Sequence, residues 1–202
     1  NVKLLILEFG GNMMPSINGP KTAENYGKNF YDQIMYLKKQ KPDMDILVIG
    51  PADMSKRING SYQSYPDLPV VVEHLKKAAF DAGGAYWDSY WVMGGHNSMP
   101  TWVDQGLAGK DYIHFTTDGA KKISELFYEA LINDYNEYRL EKRIRKLNGQ
   151  PEIDTTSVAI DTTSETPTTT TTPAVVKAKG FKKVKNTKVA SFKAIIHIVK
   201  SG

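Results

Sequence analysis

Short apolar runs are spaced along the first 150 residues of the chain. The runs Lys3 to Phe9 and Asp45 to Ala52 are nearly continuous, which is the pattern of parallel strands buried on both faces. A third run, Ala85 to Met93, is rich in aromatic residues and is predicted as another strand. The first and third runs are followed by glycine, and the second ends in Gly50-Pro51-Ala52, so the strands are expected to end there.

Three amphipathic stretches, with apolar residues at helical spacing, follow these runs. The first is predicted to begin at Thr22, an N-cap residue type, and to end at Lys41-Pro42. The second begins at Leu68 and closes at Gly83-Gly84, and the third begins near Asp118. Strands and helices that alternate in this way predict an α/β fold with a parallel sheet and right-handed crossovers.

An acid and a histidine stand three residues apart just before the third predicted helix. Asp111-Tyr112-Ile113-His114 is the spacing of a serine-type hydrolytic site, with His114 as general base and Asp111 fixing its tautomer. By itself the motif is weak evidence, because D-x-x-H arises by chance and a lone histidine is more often structural. Additional motifs are needed to choose between the two interpretations.

The first predicted strand ends in Gly10-Gly11-Asn12. Ligands of open α/β sheets bind at the carboxyl ends of the strands, so Asn12 is expected to project into that crevice. Its side-chain amide could donate a hydrogen bond to a developing oxyanion, and Gly10 and Gly11 would let the backbone approach closely. The alternative is an ordinary Gly-Gly-Asn turn.

Several ordered segments together resemble the SGNH (GDSL-like) hydrolase family, and more narrowly its bacterial members that act on acetylated carbohydrate. The segments are LEFGGNMM, ILVIGPADMS, YWVMGGHNSMPTWVDQGLAGKDYIHFT and DGAKKISELFYEAL, and the resemblance covers roughly residues 2 to 140. It implies a three-layer α/β/α sandwich of the SGNH/flavodoxin-like kind, incomplete in this chain. It also implies an oxyanion-hole role for Asn12 and triad roles for Asp111 and His114.

The chain departs from the family at the nucleophile. The family carries it in a Gly-Asp-Ser block, and neither that block nor a G-x-S-x-G elbow occurs here. Serines are present, but none lies in a recognisable nucleophile turn: Ser16, Ser55, Ser89 and Ser98. The chain also opens inside a strand. We therefore expect a fragment of a larger protein, whose attacking serine lies outside this stretch.

Further pocket residues are expected in the loops that follow the strands. Asp53 follows the second strand and is expected to line the same crevice as Asn12, whereas His96 and Ser98 follow the third and are expected to shape the acyl or sugar pocket. His74 is predicted to be an exposed or half-buried helix residue, and His197 is predicted to be structural. Without cysteine or clustered histidine and carboxylate spacings, neither a metal nor another cofactor is expected.

Composition changes sharply after residue 149. The hydrolase-like domain is assigned to 1–149, a Thr-rich linker to 150–175 and a Lys-rich segment to 176–202. The net charge of +4 includes eight lysines after residue 173, so the first 173 residues carry −4 and the basic pI belongs to the tail. Nucleic-acid binding therefore does not follow. The tail is either a solvated segment or one attracted to an anionic cell envelope.

The apolar run Ala194 to Val199 near the end of the chain has several interpretations. In the SGNH resemblance it is similar to the strand that leads into Gly-Asp-Ser, which would indicate tandem SGNH units. It could also pair beside Leu4 to Phe9, within this chain or in a neighbouring copy. An edge strand or an unstructured tail is the simpler alternative, because a short apolar run discriminates poorly.

The resemblance and the motifs together predict an ester hydrolase that removes O-acyl groups, most simply O-acetyl, from carbohydrate. Its expected substrate is an acylated polysaccharide, oligosaccharide or peptidoglycan, and its expected location is the periplasm or cell surface. No stretch is long enough to span a membrane. An O-acyltransferase on the same scaffold and a non-catalytic carbohydrate-binding module remain as alternatives.

Overall fold

The computed structural model of this protein describes residues 2–151. The Lys-rich segment, the run Ala194 to Val199 and nearly all of the predicted linker lie outside the described residues. The described part contains five strands, five α-helices and one short 3-10 helix. In chain order they are β1 Leu4–Glu8, the 3-10 helix Gly11–Ser16, α1 Pro20–Gln40, β2 Asp45–Ile49, β3 Ser55–Ile58, β4 Ser61–Ser64, α2 Leu68–Asp81, β5 Ala85–Trp87, α3 Ser89–Met93, α4 Ser98–Asp104 and α5 Thr117–Leu147.

The main sheet is parallel and has the order β1-β2-β5. Helices cover both of its faces. On one face α1 and α2 pack with the sheet around Phe30, Ile46, Val48 and Leu75. On the other face Leu47, Ala85 and Trp87 are packed against the apolar side of α5, which is formed by Ile123, Leu126, Phe127, Ala130 and Leu131. The predicted α/β/α fold with a parallel sheet is therefore confirmed, and it is consistent with the SGNH/flavodoxin-like folds.

Strand β1 is not buried on both faces, so that prediction is wrong. Leu5 and Leu7 pack into the core formed with α1 and α2. Leu4 and Ile6, on the opposite face, are 37% and 46% exposed. Among the described residues β1 pairs with β2 alone, and the cluster beneath α5 contains no residue of β1. One edge of this strand and the face that carries Leu4 and Ile6 are therefore uncovered in the described part of the chain.

Two predicted boundaries were also wrong. The run Ala85 to Met93 is a strand only as far as Trp87, because the Asp88 carboxylate accepts the N–H of Trp91 at 3.2 Å and begins α3. Thr22 does not cap α1, which starts at Pro20. The Thr22 hydroxyl instead donates to the Asn18 carbonyl at 2.9 Å. The Asp88 cap thus sets the first boundary, and the second lies at Pro20, a residue that suits the first turn of a helix.

The antiparallel hairpin β3–β4 was not predicted. Its loop is Asn59-Gly60, with φ values of 51° and 86°. An Asn-Gly pair with positive φ at both positions is the commonest signal for a two-residue hairpin loop. The signal was therefore present in the sequence, although the flanking residues are too polar to stand out as strands.

Gly119 lets α5 begin directly against the loop that carries the predicted site. A Cβ at this position would collide with the backbone carbonyl of Leu107. We expect Gly119→Ala to lower the free energy of unfolding by about 2–4 kcal/mol, because backbone on both sides must shift. Urea unfolding followed by circular dichroism measures this loss.

Gly11→Ala is the matched control for that substitution. Its Cβ would meet only the end of the flexible Met54 side chain, at 3.2 Å. It should unfold close to the urea concentration of the unmodified protein. Equal midpoints for the two variants would show that the close approach of α5 to Leu107 is not needed for stability.

Candidate active site

The Asp111 and His114 side chains form a hydrogen-bonded pair in the loop before α5. Nδ1 of His114 lies 2.8 Å from Oδ2 of Asp111. The other carboxylate oxygen, Oδ1, accepts the backbone N–H groups of Ile113 and His114 at 3.0 Å and 3.1 Å. The D-x-x-H segment is therefore a closed turn in which one carboxylate binds both the backbone and the imidazole.

The Asp111 carboxyl is held in its ionised form. The hydrogen bond from the His114 side chain, with smaller contributions from the backbone N–H groups of His114 and Ile113, lowers the Asp111 pKa to about 2. A carboxylate can only accept hydrogen bonds, so Nδ1 of His114 is the donor. In the neutral imidazole this arrangement leaves Nε2 without a proton and able to act as a base.

This pairing predicts a measurable dependence on pH. In ¹³C NMR the Asp111 carboxyl should titrate at about 2, and in His114→Ala the midpoint should rise toward the ordinary aspartate value of about 3.9. Because the folded pKa is depressed, the pair stabilises the fold above the unfolded pKa, and this is lost as pH falls through the folded one. An unchanged midpoint in His114→Ala would show that the imidazole does not lower the Asp111 pKa.

The segment Gly10-Gly11-Asn12 leaves β1 in a conformation that requires glycine. Gly10 has φ of 113° and is buried, and a Cβ there would meet Leu75 at 2.8 Å and Pro51 at 3.0 Å. This tight exit leads into the 3-10 helix, on which the Asn12 side chain is exposed. The sequence thus places an amide side chain at the carboxyl end of a parallel strand.

Asn12 and His114 line the same cleft, which has a volume of about 990 Å³. Gly10 and Gly11 also line it, so these predicted residues are brought together. The walls are largely apolar and include the aromatic residues Phe9, Tyr26, Phe30, Tyr65 and Phe115, with Glu8 and Gln33 among the polar residues. No serine is among the described residues that line this cleft.

The other predicted pocket residues, Asp53, His96 and Ser98, are not among the described residues that line this cleft. Asp53 is fully buried, where its carboxylate accepts the Ser64 hydroxyl at 2.6 Å and the N–H of Met99 at 2.8 Å. The Ser98 hydroxyl donates to the same carboxylate at 3.3 Å and is also buried. A buried carboxylate needs such partners, which explains why Asp53 turns inward. His96 is exposed outside the cleft.

The aromatic residues that line the cleft were not predicted from the sequence. Phe9 and Phe115 immediately precede and follow the two motifs, so their positions were a usable signal. Tyr65 follows the unpredicted β3–β4 hairpin, and no local pattern indicated that it reaches the cleft.

Within residues 2–151, no group of three or more histidine, aspartate and glutamate side chains is arranged to hold a metal ion. No helix in this part of the chain is both long and apolar enough to cross a membrane.

Fold and cleft together define an α/β protein with a paired acid and histidine near the carboxyl end of a parallel sheet. No family model matches the chain, and no curated protein matches it. A solved structure described as a peptidoglycan O-acetylesterase in action, at 5 min, is similar, with a TM-score of 0.58 and 25% identity. The match covers 65% of this chain and 37% of that one. This similarity supports an SGNH-like, esterase-like scaffold.

Proposed function

We propose that this chain supplies the general base and one oxyanion donor of an esterase that removes O-acyl groups, in particular O-acetyl, from carbohydrate. The observation that carries the proposal is the Asp111–His114 pair, joined at 2.8 Å, beside a cleft that also contains Asn12. The similarity to a peptidoglycan O-acetylesterase is independent support.

The proposed reaction proceeds through an acyl-enzyme. A serine hydroxyl attacks the ester carbonyl while Nε2 of His114 takes its proton, and the Asp111 carboxylate stabilises the imidazolium. The Asn12 amide, with backbone N–H groups, donates to the oxyanion. His114 then returns the proton to the departing sugar oxygen, and a water activated by His114 cleaves the acyl-serine to release the acid and the free serine.

The serine of this mechanism is proposed to come from polypeptide outside residues 2–151. The described lining of the cleft contains no serine, and the His114 side chain is 78% exposed, which leaves room for another segment. The open edge of β1, with Leu4 and Ile6 exposed, would accept a further parallel strand. That the strand is Ala194 to Val199, of this chain or a neighbouring copy, stays a prediction.

An acylated sugar polymer is the proposed substrate class. Aromatic rings such as Phe9 and Tyr65 in the cleft wall could pack against the apolar faces of sugar rings. The similar solved structure is described as acting on peptidoglycan, which lies outside the cytoplasm. We therefore place the proposed activity in the periplasm or at the cell surface.

The test compares this chain with the longer polypeptide read from the coding sequence on either side of it. The chain alone should give no acyl-enzyme burst with p-nitrophenyl acetate and should release negligible acetate from O-acetylated peptidoglycan. The longer polypeptide, if it carries Gly-Asp-Ser, should do both. Robust hydrolysis by the isolated chain would contradict an external serine.

The same assay separates the two other functions that the sequence left open. Transfer of the acetyl group to an added sugar acceptor, in preference to water, would indicate an acyltransferase. Binding of the polysaccharide without any acetate release from the longer polypeptide would indicate a binding module. Either result would overturn the esterase proposal, because all three functions share the cleft and differ only in the fate of the acyl group.

A further inference from the structure

Tyr112, in the middle of the Asp111–His114 turn, has a backbone conformation that is unusual for a tyrosine. Its φ is 59°, in the left-handed region. Residues other than glycine, asparagine and aspartate seldom adopt this conformation, and it persists only where the surroundings enforce it. The contacts of Tyr112 must therefore stabilise its left-handed backbone conformation.

Two contacts from the β3–β4 hairpin and one within the loop hold Tyr112, whose side chain also packs against the apolar cluster that contains Met99 and Trp102. The Tyr112 carbonyl accepts the N–H of Ser55, the first residue of β3, at 2.9 Å. The Tyr112 ring stacks on Tyr62 of β4, with ring centroids 3.6 Å apart and planes inclined by 7°. Within the loop, the Tyr112 N–H donates to the Gly109 carbonyl at 2.9 Å. The hairpin therefore contacts both the backbone of Tyr112, through a hydrogen bond, and its side chain, through ring stacking.

The end of the hairpin is held by a polar cluster formed by Ser64, Asp53 and Asn97. The Ser64 hydroxyl at the end of β4 donates to the buried Asp53 carboxylate at 2.6 Å. It also accepts the Asn97 N–H at 2.7 Å, while the Ser64 N–H donates to Asn97 Oδ1 at 2.9 Å. Asp53 in turn binds the Met99 N–H of α4. These buried and partly buried hydrogen bonds fix the hairpin in place against Asp53 and α4.

We propose that Tyr62 is a positioning residue for the proposed general base His114. Its ring holds Tyr112 in the left-handed conformation, and that conformation folds the turn so that the Asp111 carboxylate reaches Nδ1 of His114. The inference rests on the proposed function only for the role of His114. The coupling of Tyr62 to the Asp111–His114 bond can be measured without any ester.

The measurement is the tautomer of His114, read from ¹⁵N chemical shifts of the imidazole at a pH where the ring is neutral. In the unmodified chain the bond to Asp111 should make the Nδ1–H form dominant. In Tyr62→Ala the turn should relax, and the Nε2–H form, which an unrestrained imidazole prefers, should become the major one. Tyr62→Phe retains the stacked ring, so the Nδ1–H form of His114 should remain dominant in this variant.

Tyr128→Ala is the matched control, because Tyr128 is 63% exposed on α5 and does not line the cleft. It should leave the His114 tautomer unchanged. A dominant Nδ1–H form that persists in Tyr62→Ala would overturn the proposal, as would its absence from the unmodified chain. If Tyr62→Ala does not fold, Tyr112→Ala, which deletes the other ring of the stack, must show the same loss of the Nδ1–H form. An unchanged tautomer in that variant would overturn the proposal equally.

This readout separates failure of the positioning role from failure of the proposed function. A tautomer that depends on Tyr62, in a longer polypeptide that releases no acetate, would remove the esterase proposal and leave the structural coupling intact. Acetate release together with a tautomer indifferent to Tyr62 would retain the esterase and remove the positioning role. Measuring both the His114 tautomer and acetate release therefore decides both the positioning role of Tyr62 and the esterase proposal.

Discussion

Replacing His114 with alanine is expected to lower acetate release by about 10³-fold or more in the polypeptide that carries both this site and the attacking serine. The substitution removes the only histidine that lines the cleft among the described residues. It also leaves Asp111 without the imidazole bonded to it at 2.8 Å. Turnover of O-acetylated peptidoglycan under saturating conditions measures the effect, because a lost general base lowers kcat rather than substrate binding.

His96→Ala is the matched control for that loss. His96 is exposed and does not line the cleft, so its removal should change turnover little. Two outcomes would contradict the assignment of His114 as base. One is a His114→Ala variant that retains most of its kcat, and the other is a His96→Ala variant that loses as much as His114→Ala.

The parts of the site that the sequence predicted are those set by local chain geometry. Asp111 and His114 are three residues apart in one turn, so their contact needs no distant partner. Asn12 follows the apolar run that forms β1, and the carboxyl end of a parallel strand is where α/β proteins place ligand-binding groups. The three-layer fold could also be predicted, because the order of apolar runs and amphipathic helices stays the same even when individual element boundaries are predicted wrongly.

The parts that were missed depend on contacts between residues far apart in the chain. Asp53 follows β2 just as Asn12 follows β1, yet it turns inward because Ser64 and Met99 supply hydrogen bonds from other elements. No pattern around Asp53 contains that information. The exposure of Leu4 and Ile6 likewise depends on which strand pairs beside β1, and an apolar run has the same sequence pattern whether or not a neighbour is present.

The β3–β4 hairpin is the most consequential omission. Its residues are mostly polar, so neither the hydrophobic alternation of a half-buried strand nor a buried run is present. Only Asn59-Gly60 indicated a turn. The hairpin contributes both the Ser55 N–H and the Tyr62 ring that contact Tyr112. These contacts of the D-x-x-H turn could not be predicted without the three-dimensional structure.

Replacing Asn12 with alanine is expected to lower turnover by roughly 10²–10³-fold, the usual cost of removing one oxyanion-hole donor. The expectation follows from its position, since the exposed amide and His114 line one cleft at the end of β1. The loss should fall on kcat, because an oxyanion exists only in the transition state and the tetrahedral intermediate. KM for the acetylated polysaccharide should change much less.

Asn12→Asp and Asn29→Ala sharpen the interpretation of this result. Aspartate keeps the shape of Asn12 but replaces its N–H donor with a negative charge, so its loss should be at least as large as that of alanine. Asn29 is exposed on α1 and does not line the cleft, so Asn29→Ala should be almost fully active. Full activity in Asn12→Asp would mean that the side chain donates nothing to the oxyanion. The donors would then have to be backbone N–H groups alone, and the Gly-Gly-Asn segment would serve only as the tight exit from β1 that Gly10 requires.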